Sequence, residues 1–560
     1  MSAPSLKELC LEQIVASADR FLSLQWSDGR FEVVPEHETD EWNFFQQQYT
    51  LPAALLYTLD HPGNPWRGDE RLSKAILRHG RHIESRIAAD GAMAWRLNRV
   101  VLSHPFVCQR LTCAWLMAYQ LLRDHLPTEE KELWRAALLR ACDWLVRRHL
   151  LPHREVPRFT SHHVGTGTNH FSLYLSLIYL AGMEFGRPDW VELASDLMRR
   201  LIADQRPGGY WEEHHGPALA YDYLTYHGVD QYTAWSGDEA GLPALRRGLD
   251  LHQHWTYPDS APIECVDGRV RHLSGPWPWG LAGFTRWPDG RGYARLLIES
   301  LRGKELSGEF VARLADAYLM LHEGEEQPPP QTRARYRAAL DGVSVVRKEG
   351  PWVMALSGQC SPPWPENQFC LDRQALVSIW REGVGLVLDG SNSKGQPELA
   401  TFCCRQGGEA DHLPLEAKLL TTGDDATEAV EVRYGAFAAR LRLDIVNPDT
   451  LTLSAAAPSH SAGVVLTLVP HVSFGESFTL EDHGEVTLGE EPFKLTVGDC
   501  GAALSFRGVR MWLPPGAQIE YPVSPFNSYS ADNTSPPTAN RLVVRCPVRT
   551  EEVTFRFEVT

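Results

Sequence analysis

From Leu6 to His322, apolar side chains recur at steps of three and four positions, which is the spacing of amphipathic helices. The helices predicted from this spacing run from Leu6 to Leu24, Leu72 to Ile87, Phe106 to Leu122, Glu130 to Leu150, Phe171 to Met183, Trp190 to Ile202, Leu242 to His252, Gly292 to Leu301 and Phe310 to His322. The connections between them are short and rich in Pro and Gly, which favours antiparallel helical hairpins. Such hairpins stack into a solenoid or close into a ring, and periodicity alone does not separate the two.

The character of the chain changes near residue 330. An acidic, Pro-rich stretch from Glu323 to Pro330 is typical of a linker, and a last helical patch is predicted from Arg333 to Leu340. Beyond this patch, apolar and polar residues alternate with the two-residue period of β-strands. The predicted strands are Val343 to Arg347, Trp352 to Leu356, Ala375 to Ile379, Val384 to Leu388, Arg440 to Ile445, Leu451 to Leu453, Val464 to Leu468, Phe493 to Val497, Arg541 to Arg545 and Val553 to Val559.

These patterns predict an α+β multidomain chain. We expect an (α/α) toroid of helical hairpins in residues 1–325, a linker in residues 326–342 and an antiparallel β-sandwich in residues 343–560. The toroid is the expected catalytic domain, because a ring of hairpins leaves a cleft at its axis.

The composition narrows the classes of function. A formal net charge of −17 argues against nonspecific binding to nucleic acid or to anionic membranes. Met1 to Asp19 contains acidic residues and no apolar run, and no apolar stretch reaches membrane-spanning length, so we expect a cytoplasmic protein. The 11 cysteines include no Cys-x-x-Cys pair and are typical of reduced, buried thiols rather than of a zinc site.

Asn169 and His170 follow the glycine-rich turn at residues 165–168 and begin an apolar helix. A helix N-terminus presents free N–H groups and favours anions, so a substrate carboxylate could rest there. Asn169 could donate a hydrogen bond to that carboxylate, and His170 could do the same or move a proton. The alternative is a structural role, in which Thr168 or Asn169 caps the helix and His170 is a surface residue.

A second polar and aromatic element follows about fifty residues later. Tyr210 to Glu213 is predicted to lead into a helix with Pro217 near its first turn. The residues predicted on that helix include His214, His215, Tyr221, Asp222, Tyr226 and His227. A tyrosine acts as a base only where neighbouring positive charge or hydrogen-bond donors lower its pKa. The alternative is an aromatic packing face with satisfied hydroxyl groups.

The helix-opening Asn-His pair and the later Glu-x-x-Gly-Pro segment with its tyrosine helix resemble polysaccharide lyases of the heparinase II/III and alginate lyase type. The resemblance implies an (α/α) toroid followed by β-sandwich domains. It also implies that Asn169 and His170 neutralise a uronate carboxylate during β-elimination at a 4-linked sugar. Tyr221, four residues after Pro217, is then the catalytic tyrosine, and Tyr226 is the alternative.

The family carries a further histidine in its β-domain, within a Gly-rich His-x-Asp-x-Leu stretch. The nearest match here is the segment 407–413, where Glu409 stands in place of that histidine and His412 follows three residues later. Either His412 substitutes, or Glu409 acts as the base, or the substrate differs. A glutamate beside an anionic uronate repels it unless protonated, so a changed substrate or geometry is favoured.

Other side chains are predicted to contact the substrate, and each is also typical of a structural residue. Aromatic rings stack on the C–H faces of sugars, and His and Arg side chains bind carboxylates. The predicted substrate-binding residues are His163, Arg110, His214, His215, Glu409, Trp277 and Trp279.

The sequence thus predicts a lyase that cleaves a 4-linked uronate-containing oligo- or polysaccharide by β-elimination. No cofactor is required, and a structural metal is compatible with the sequence but not predicted by it. One alternative is a glycoside hydrolase of the same architecture, which needs two carboxylates and would draw on Glu212, Glu213 and Asp222, or less convincingly on Asp40 and Glu41. Another is a noncatalytic carbohydrate-binding protein. The oligomeric state is not predicted.

Overall fold

The structure, a computed structural model, describes residues 4–31, 43–97, 100–103, 105–406, 408–420, 426–458 and 463–560. The chain divides into two compact units. The helical unit comprises Met1–Glu213, Tyr221–Leu249 and Pro276–Pro329, and the second unit comprises His214–Ala220, Asp250–Gly275 and Pro330–Thr560. Two short segments from within the helical half therefore belong to the second unit, which hydrophobic periodicity does not indicate. The predicted boundaries at residues 325 and 343 stay a prediction.

All α-helices of the described residues except one short helix end at or before Met320. They are α1 (Leu6–Ser23), α2 (Thr50–Thr58), α3 (Glu70–Ser85), α4 (Pro105–Leu122), α5 (Thr128–Leu145), α6 (Ser161–Val164), α7 (Thr168–Phe185), α8 (Pro188–Ala203), α9 (Leu219–Ser236), α10 (Leu242–His254), α11 (Leu281–Phe284), α12 (Pro288–Ser300), α13 (Gly308–Met320) and the short α14 (Val497–Cys500). A small hairpin, β1 (Ala94–Leu97) and β2 (Val100–Ser103), separates α3 from α4.

Five helices of the helical unit close a ring. Helix α13 packs on α2, α2 on α4, and α4 on α7. Helix α7 meets α9 through Ser172 Oγ, 3.5 Å from the carbonyl oxygen of Leu224, and through Ser176 Oγ, 3.1 Å from Gln231 Oε1. Gln231 Nε2 in turn donates a hydrogen bond of 3.0 Å to Asp316 Oδ2 of α13. The ring is therefore a toroid rather than a solenoid.

Burial separates the inner from the outer helices. Helix α7 is buried around nearly its whole circumference, as expected of an inner helix. Helix α8 is amphipathic, and its buried residues recur at three- and four-residue steps: Trp190, Leu193, Ala194, Leu197, Met198, Leu201 and Ile202.

Helices α7 and α9 run parallel, and small residues let their backbones approach each other closely. A Cβ atom at Gly228 would lie 2.6 Å from Ser172 Oγ, so a larger side chain there would force the helices apart. Ser172 meets Leu224, and the residues three positions before each are Asn169 and Tyr221. This register places Asn169 and Tyr221 at the same end of neighbouring helices.

The second unit is built from antiparallel sheets. Its strands are β3 (Arg335–Leu340), β4 (Ser344–Glu349), β5 (Trp352–Leu356), β6 (Val377–Arg381), β7 (Gly385–Leu388), β8 (Phe402–Gln406), β9 (Glu409–Asp411), β10 (Glu416–Leu419), β11 (Thr427–Arg433), β12 (Ala438–Asn447), β13 (Thr450–Ala456), β14 (Val464–Leu468), β15 (Ser477–Leu480), β16 (Gly484–Thr487), β17 (Phe493–Thr496), β18 (Ala503–Phe506), β19 (Val509–Trp512), β20 (Gln518–Val523), β21 (Arg541–Val548) and β22 (Val553–Val559).

Three sheets arise from these strands. Their strand orders are β3-β4-β5-β6-β7, then β10-β11-β12-β13-β22-β19-β18-β15-β16, and β17-β20-β21-β14-β8-β9. All three contribute to one apolar core, which includes Trp352, Leu441, Leu466 and Phe557. The predicted antiparallel β-sandwich is thus confirmed.

Two local predictions were wrong. The segment Arg333 to Leu340, predicted as a helical patch, contains strand β3, whose Ala338 pairs with Val346 of β4. Its Arg and Ala residues favour a helix in isolation, but pairing with β4 overrides that preference. Tyr210 to Glu213 does not lead directly into a helix either, because residues 210–218 form a loop and α9 begins at Leu219. His214 and His215, predicted on that helix, therefore lie in the loop.

No helix in the described part of the chain is long and apolar enough to cross a membrane. The ten cysteines found there are all free thiols, and only Cys360 is not fully buried.

Candidate functional site

Asn169 occupies the second position of α7 and does not cap the helix. The cap residue is Gly167, which has no side chain to accept a hydrogen bond, and the Thr168 hydroxyl donates instead to the carbonyl oxygen of Phe159 at 2.6 Å. Asn169 is fully buried, yet neither atom of its amide group finds a hydrogen-bond partner among the described residues. A buried amide without partners is costly, so this group is suited to a ligand.

Because Gly167 has no side chain, the Asn169 amide and the Glu213 carboxylate can both lie against it. A Cβ atom at position 167 would lie 2.2 Å from both Asn169 Oδ1 and Glu213 Oε1. Glu213 is buried, and its backbone oxygen accepts a hydrogen bond of 2.8 Å from the hydroxyl of Ser161. An amide and a carboxyl group therefore converge at the start of α7.

His170 is half-buried and has one ring nitrogen fixed. Its Nδ1 lies 2.5 Å from the Thr166 hydroxyl, and its ring is 6.3 Å from that of Tyr174. When the hydroxyl donates to Nδ1, the proton of the neutral ring sits on Nε2, which can then donate to a ligand. His163, in α6, is exposed, and its Nδ1 lies 2.9 Å from Thr160 Oγ1.

Tyr221 lies in the first turn of α9, half-buried and within electrostatic range of Arg110. Arg110 is buried in α4 and forms an ion pair with Glu309 of α13. Burial and the like charge of Arg313 lower the pKa of Arg110 to about 9, so the guanidinium is still charged at neutral pH. A cation beside a phenol stabilises negative charge that develops on the phenol oxygen.

Glu309 is itself held in place by a neutral donor. Gln48 is fully buried, and its Nε2 donates to Glu309 Oε1 at 3.4 Å. Sequence reasoning missed Glu309. The signal for Glu309 is a charged residue at the start of the strongly apolar segment of α13.

Trp279 and Tyr226 are core residues rather than exposed ones. Trp279 is 1% exposed. The guanidinium carbons of Arg110 and Arg313 lie 4.8 and 4.7 Å from the centre of its ring. Tyr226 is 0% exposed, and its ring lies 4.6 Å from that of Phe284. Trp279 shares the Arg110 cation with Tyr221, whereas Tyr226 packs in the apolar core. The roles of both side chains stay predictions.

Trp277 is the more accessible of the two predicted sugar-stacking tryptophans. It is partly buried and packs against the apolar core of the helical unit. Its role in stacking stays a prediction.

His214 and His215 belong to the second unit, where their rings lie 5.9 and 5.3 Å from the ring of Trp364. The backbone of their segment is held by Arg373, which donates to the carbonyl oxygens of His215 at 3.1 Å and Pro217 at 2.7 Å. This loop is therefore fixed by one buried guanidinium, which the sequence does not indicate.

Glu409 and His412 also belong to the second unit. Glu409 begins strand β9 and is exposed. His412 is half-buried, with Nδ1 3.2 Å from the carbonyl oxygen of Ala410. Whether either acts as a base stays a prediction.

Two of the carboxylates considered for hydrolysis are engaged in holding the loop before α9. Glu212 pairs with Arg206 at 2.6 Å and with Arg158 at 3.2 Å. Asp222 accepts a hydrogen bond of 2.8 Å from the backbone N–H of Trp211. Asp40 and Glu41 lie outside the described residues. Within the described chain, no group of three or more His, Cys, Asp or Glu side chains is arranged to hold a metal ion.

A cavity of about 660 Å³ lies at the opposite end of the same inner helices. It is lined by residues near the C-terminal ends of α4, α9 and α13, among them Met117, Trp235 and Leu319. None of the predicted catalytic residues lines it.

No protein-family model matches the sequence, and no curated protein sequence matches it either. Solved structures do match its fold. The chondroitin AC lyase of Streptomyces coelicolor A3, in complex with chondroitin sulphate, is 13% identical with a TM-score of 0.55, over 98% of this chain and 79% of that one. Heparinase III is 12% identical with a TM-score of 0.58, over 98% and 84%.

A xanthan lyase of Paenibacillus is 11% identical with a TM-score of 0.52, over 98% of this chain and 56% of its own length. Identities this low show a shared fold. The predicted toroid followed by a β-sandwich, and its resemblance to polysaccharide lyases in fold, are thus confirmed.

Proposed function

We propose that the protein is a polysaccharide lyase that cleaves a 4-linked uronate-containing glycan by β-elimination. The observation that carries the proposal is the Asn169 amide, fully buried without a hydrogen-bond partner among the described residues. It lies in register with Tyr221 on the neighbouring parallel helix, and Tyr221 is within electrostatic range of the Arg110 cation. The shared fold with lyases supports this assignment.

Asn169 and His170 bind the uronate carboxylate in this mechanism. Hydrogen bonds to the carboxylate withdraw negative charge from it and so acidify the adjacent C5–H bond. The start of α7 contributes free backbone N–H groups and the positive end of the helix dipole. These contacts strengthen as charge develops on the carboxylate, which makes them catalytic rather than only binding contacts.

Tyr221 then serves as the acid, and as the base either alone or with a histidine. A base removes the C5 proton, the electrons of the C5–H bond form the C4–C5 double bond, and the bond from C4 to O4 breaks. Tyr221 delivers a proton to O4 of the departing sugar, and Arg110 stabilises the phenolate that remains. The reaction needs no redox cofactor and no water.

The hydrolase alternative is less well supported. It needs two carboxyl groups flanking the scissile bond, with one of them protonated. Glu212 is paired with two arginines, and Asp222 binds a backbone N–H, so both act in the loop itself. Of the candidate carboxyl groups within the described residues, Glu213 alone remains beside Asn169, and one carboxyl group does not suffice for this mechanism.

A panel of uronate glycans tests the proposal. Elimination leaves a double bond between C4 and C5 that absorbs in the ultraviolet, whereas hydrolysis creates reducing ends without that absorbance. We expect at least one glycan to yield the ultraviolet signal. The matched control is the same glycan with its uronate carboxyl groups reduced to alcohols, which should not react. Cleavage of the reduced glycan, or reducing ends without absorbance, would refute the lyase assignment.

A further inference from the structure

The second unit contains a group of arginines around the segment 269–272, outside the helical unit that holds Asn169. Arg271 is half-buried, and its Nη1 is shielded from solvent. Within the described residues its guanidinium meets neither a hydrogen-bond acceptor nor a carboxylate at ion-pair distance. A shielded guanidinium without an acceptor is costly, because it loses hydration and gains no partner.

The nearest carboxylate is already used by other groups. Asp389 Oδ2 lies 3.4 Å from Arg541 Nε and 3.6 Å from His471 Nδ1. Asp389 Oδ1 accepts a hydrogen bond of 2.8 Å from the backbone N–H of Ser391. Asp389 therefore attracts Arg271 only at longer range, and the like charge of Arg541 opposes that attraction.

The other carboxylate of this region is balanced by a histidine. Glu264 is 2% exposed and lies 3.7 Å from His272 Nδ1. Burial alone would lower the pKa of His272, but the Glu264 carboxylate raises it above its usual value. This pair leaves the positive charge of Arg271 uncompensated.

Aromatic rings border the same arginines. The ring of Phe369 packs 5.6 Å from that of Tyr529, and Arg269 lies 4.4 Å over Phe369. Tyr529 is 42% exposed and is also within electrostatic range of Arg271. An exposed ring beside a cation with no acceptor matches a charged sugar, which offers an apolar C–H face and an anionic group.

We propose that Arg271, with Arg541 and Tyr529, forms a binding site for one anionic group of a saccharide, either a carboxylate or a sulfate ester. The guanidinium fork of Arg271 suits the paired oxygens of either group. The inference rests on the proposed glycan substrate for its biological meaning, but binding is measurable without turnover.

Titration calorimetry of the full-length protein tests the site with inorganic sulfate, glucuronic acid and the neutral methyl glucoside. In Arg271→Gln, we expect Kd for the anion to rise about tenfold or more, since hydrogen bonds to charged groups are strong. Arg271→Lys keeps the charge without the fork and should weaken binding less. The control Arg433→Gln removes an exposed arginine paired with Glu416 and should leave Kd unchanged.

The two probes also identify the source of the anion. Tighter binding of sulfate indicates a sulfate ester, and tighter binding of glucuronic acid indicates a uronate. The Arg271-dependent binding should persist in Arg110→Gln, which separates it from the helical unit. Arg271→Gln should also melt no lower than the wild type, because no partner in the described part of the chain is lost.

An unchanged Kd in Arg271→Gln, equal affinity for methyl glucoside, or a large loss of thermal stability would overturn the inference. If the anion binds but no glycan is cleaved, this site stands and the proposed lyase function fails. If glycans are cleaved but Arg271→Gln binds the anion normally, the proposed lyase function stands and the Arg271 site fails.

Discussion

The inner helices of the toroid carry polar side chains at two levels, and the two levels differ in how those side chains are satisfied. At the first turns, the Asn169 amide is buried without a hydrogen-bond partner in the described chain. Further along the same ring, Asp316 accepts a hydrogen bond of 3.0 Å from Gln231 Nε2 and lies 3.0 Å from His227 Nε2. Arg313 Nη1 also donates to Asp316 Oδ2, at 3.3 Å.

Buried polar groups in the helical core are therefore of two kinds. Where buried polar groups bond to each other, as Asp316 Oδ2 does to Gln231 and Arg313, they hold the helices together, although Asp316 Oδ1 has no partner among the described residues. Where a buried polar group has no partner among the described residues, as at Asn169, it is suited to bind a ligand. Substitutions at the two levels should separate function from stability.

The largest expected effect is on turnover, at the first-turn level. Tyr221→Phe removes the proposed acid and should lower kcat by about 10²–10⁴-fold, while circular dichroism and melting temperature remain as in the wild type. Tyr226→Phe is the matched control, since it removes a hydroxyl from the core of the same helix. A variant Tyr221→Phe that keeps its activity, or a loss seen only in Tyr226→Phe, would move the catalytic role to another residue.

The largest expected effect on stability is at the deeper level. Asp316→Ala leaves the Arg313 cation buried and unpaired, which should cost about 3–5 kcal/mol of unfolding free energy. Burial alone would raise the pKa of Asp316, but His227 and Arg313 hold it below its usual value, so the carboxylate is charged in the folded state. Thermal and denaturant unfolding measure the loss. A melting temperature close to that of the wild type would show that the network is not structural.

Much of the fold is predictable from the sequence, because burial of one face of a helix or strand makes apolar residues recur at regular intervals along the chain. Helix α8 was predicted within two residues of its bounds, since its apolar stripe has one solvated face. Strands with one apolar face, such as β22, were found for the same reason. Short strands such as β9 and β16 carry no alternating pattern and form only because a neighbouring strand pairs with them.

The site was predictable only in part. Asn169 stood out because a polar residue follows a glycine turn at the start of an apolar helix, but its burial and missing partner follow from packing. Glu309 could not be assigned to Arg110, because 199 residues separate them and only closure of the ring brings them together. The segment of His214 belongs to the second unit, which no local pattern in the sequence indicates.

A third effect tests whether the unsatisfied amide serves function alone. Asn169→Ala should lower kcat/KM by about 10²–10³-fold, the usual loss when a donor to a developing negative charge is removed. Its melting temperature should stay equal or rise, because the substitution breaks no hydrogen bond to any residue that the structure describes. The decisive comparison is with Asp316→Ala, which should lose stability. A similar loss of stability in both variants would show that Asn169 also stabilises the fold.

The smallest expected effect is the pH dependence of stability, which tests the protonation of His227 in the Asp316 network. Burial lowers the pKa of His227 despite the neighbouring Asp316 carboxylate. Below about pH 6.5, the unfolded chain binds a proton that the folded chain refuses, so His227 makes stability fall as pH falls, by up to about 1.4 kcal/mol per pH unit. His79 acts in the same direction, since burial and the nearby His82 lower its pKa to about 4.

Unfolding free energy measured from pH 7 downward separates the two histidines. His227→Gln should reduce the slope below pH 6.5 and leave the contribution of His79, whereas His79→Gln should do the opposite. The two substitutions should be nearly additive, because the ring nitrogens of His79 lie 3.0 and 2.8 Å from the carbonyl oxygens of Gly29 and Gln47 and do not contact the Asp316 network. An unchanged slope in His227→Gln would mean that His227 is charged in the folded protein, and Asp316 would then form a buried ion pair with it rather than a neutral hydrogen bond.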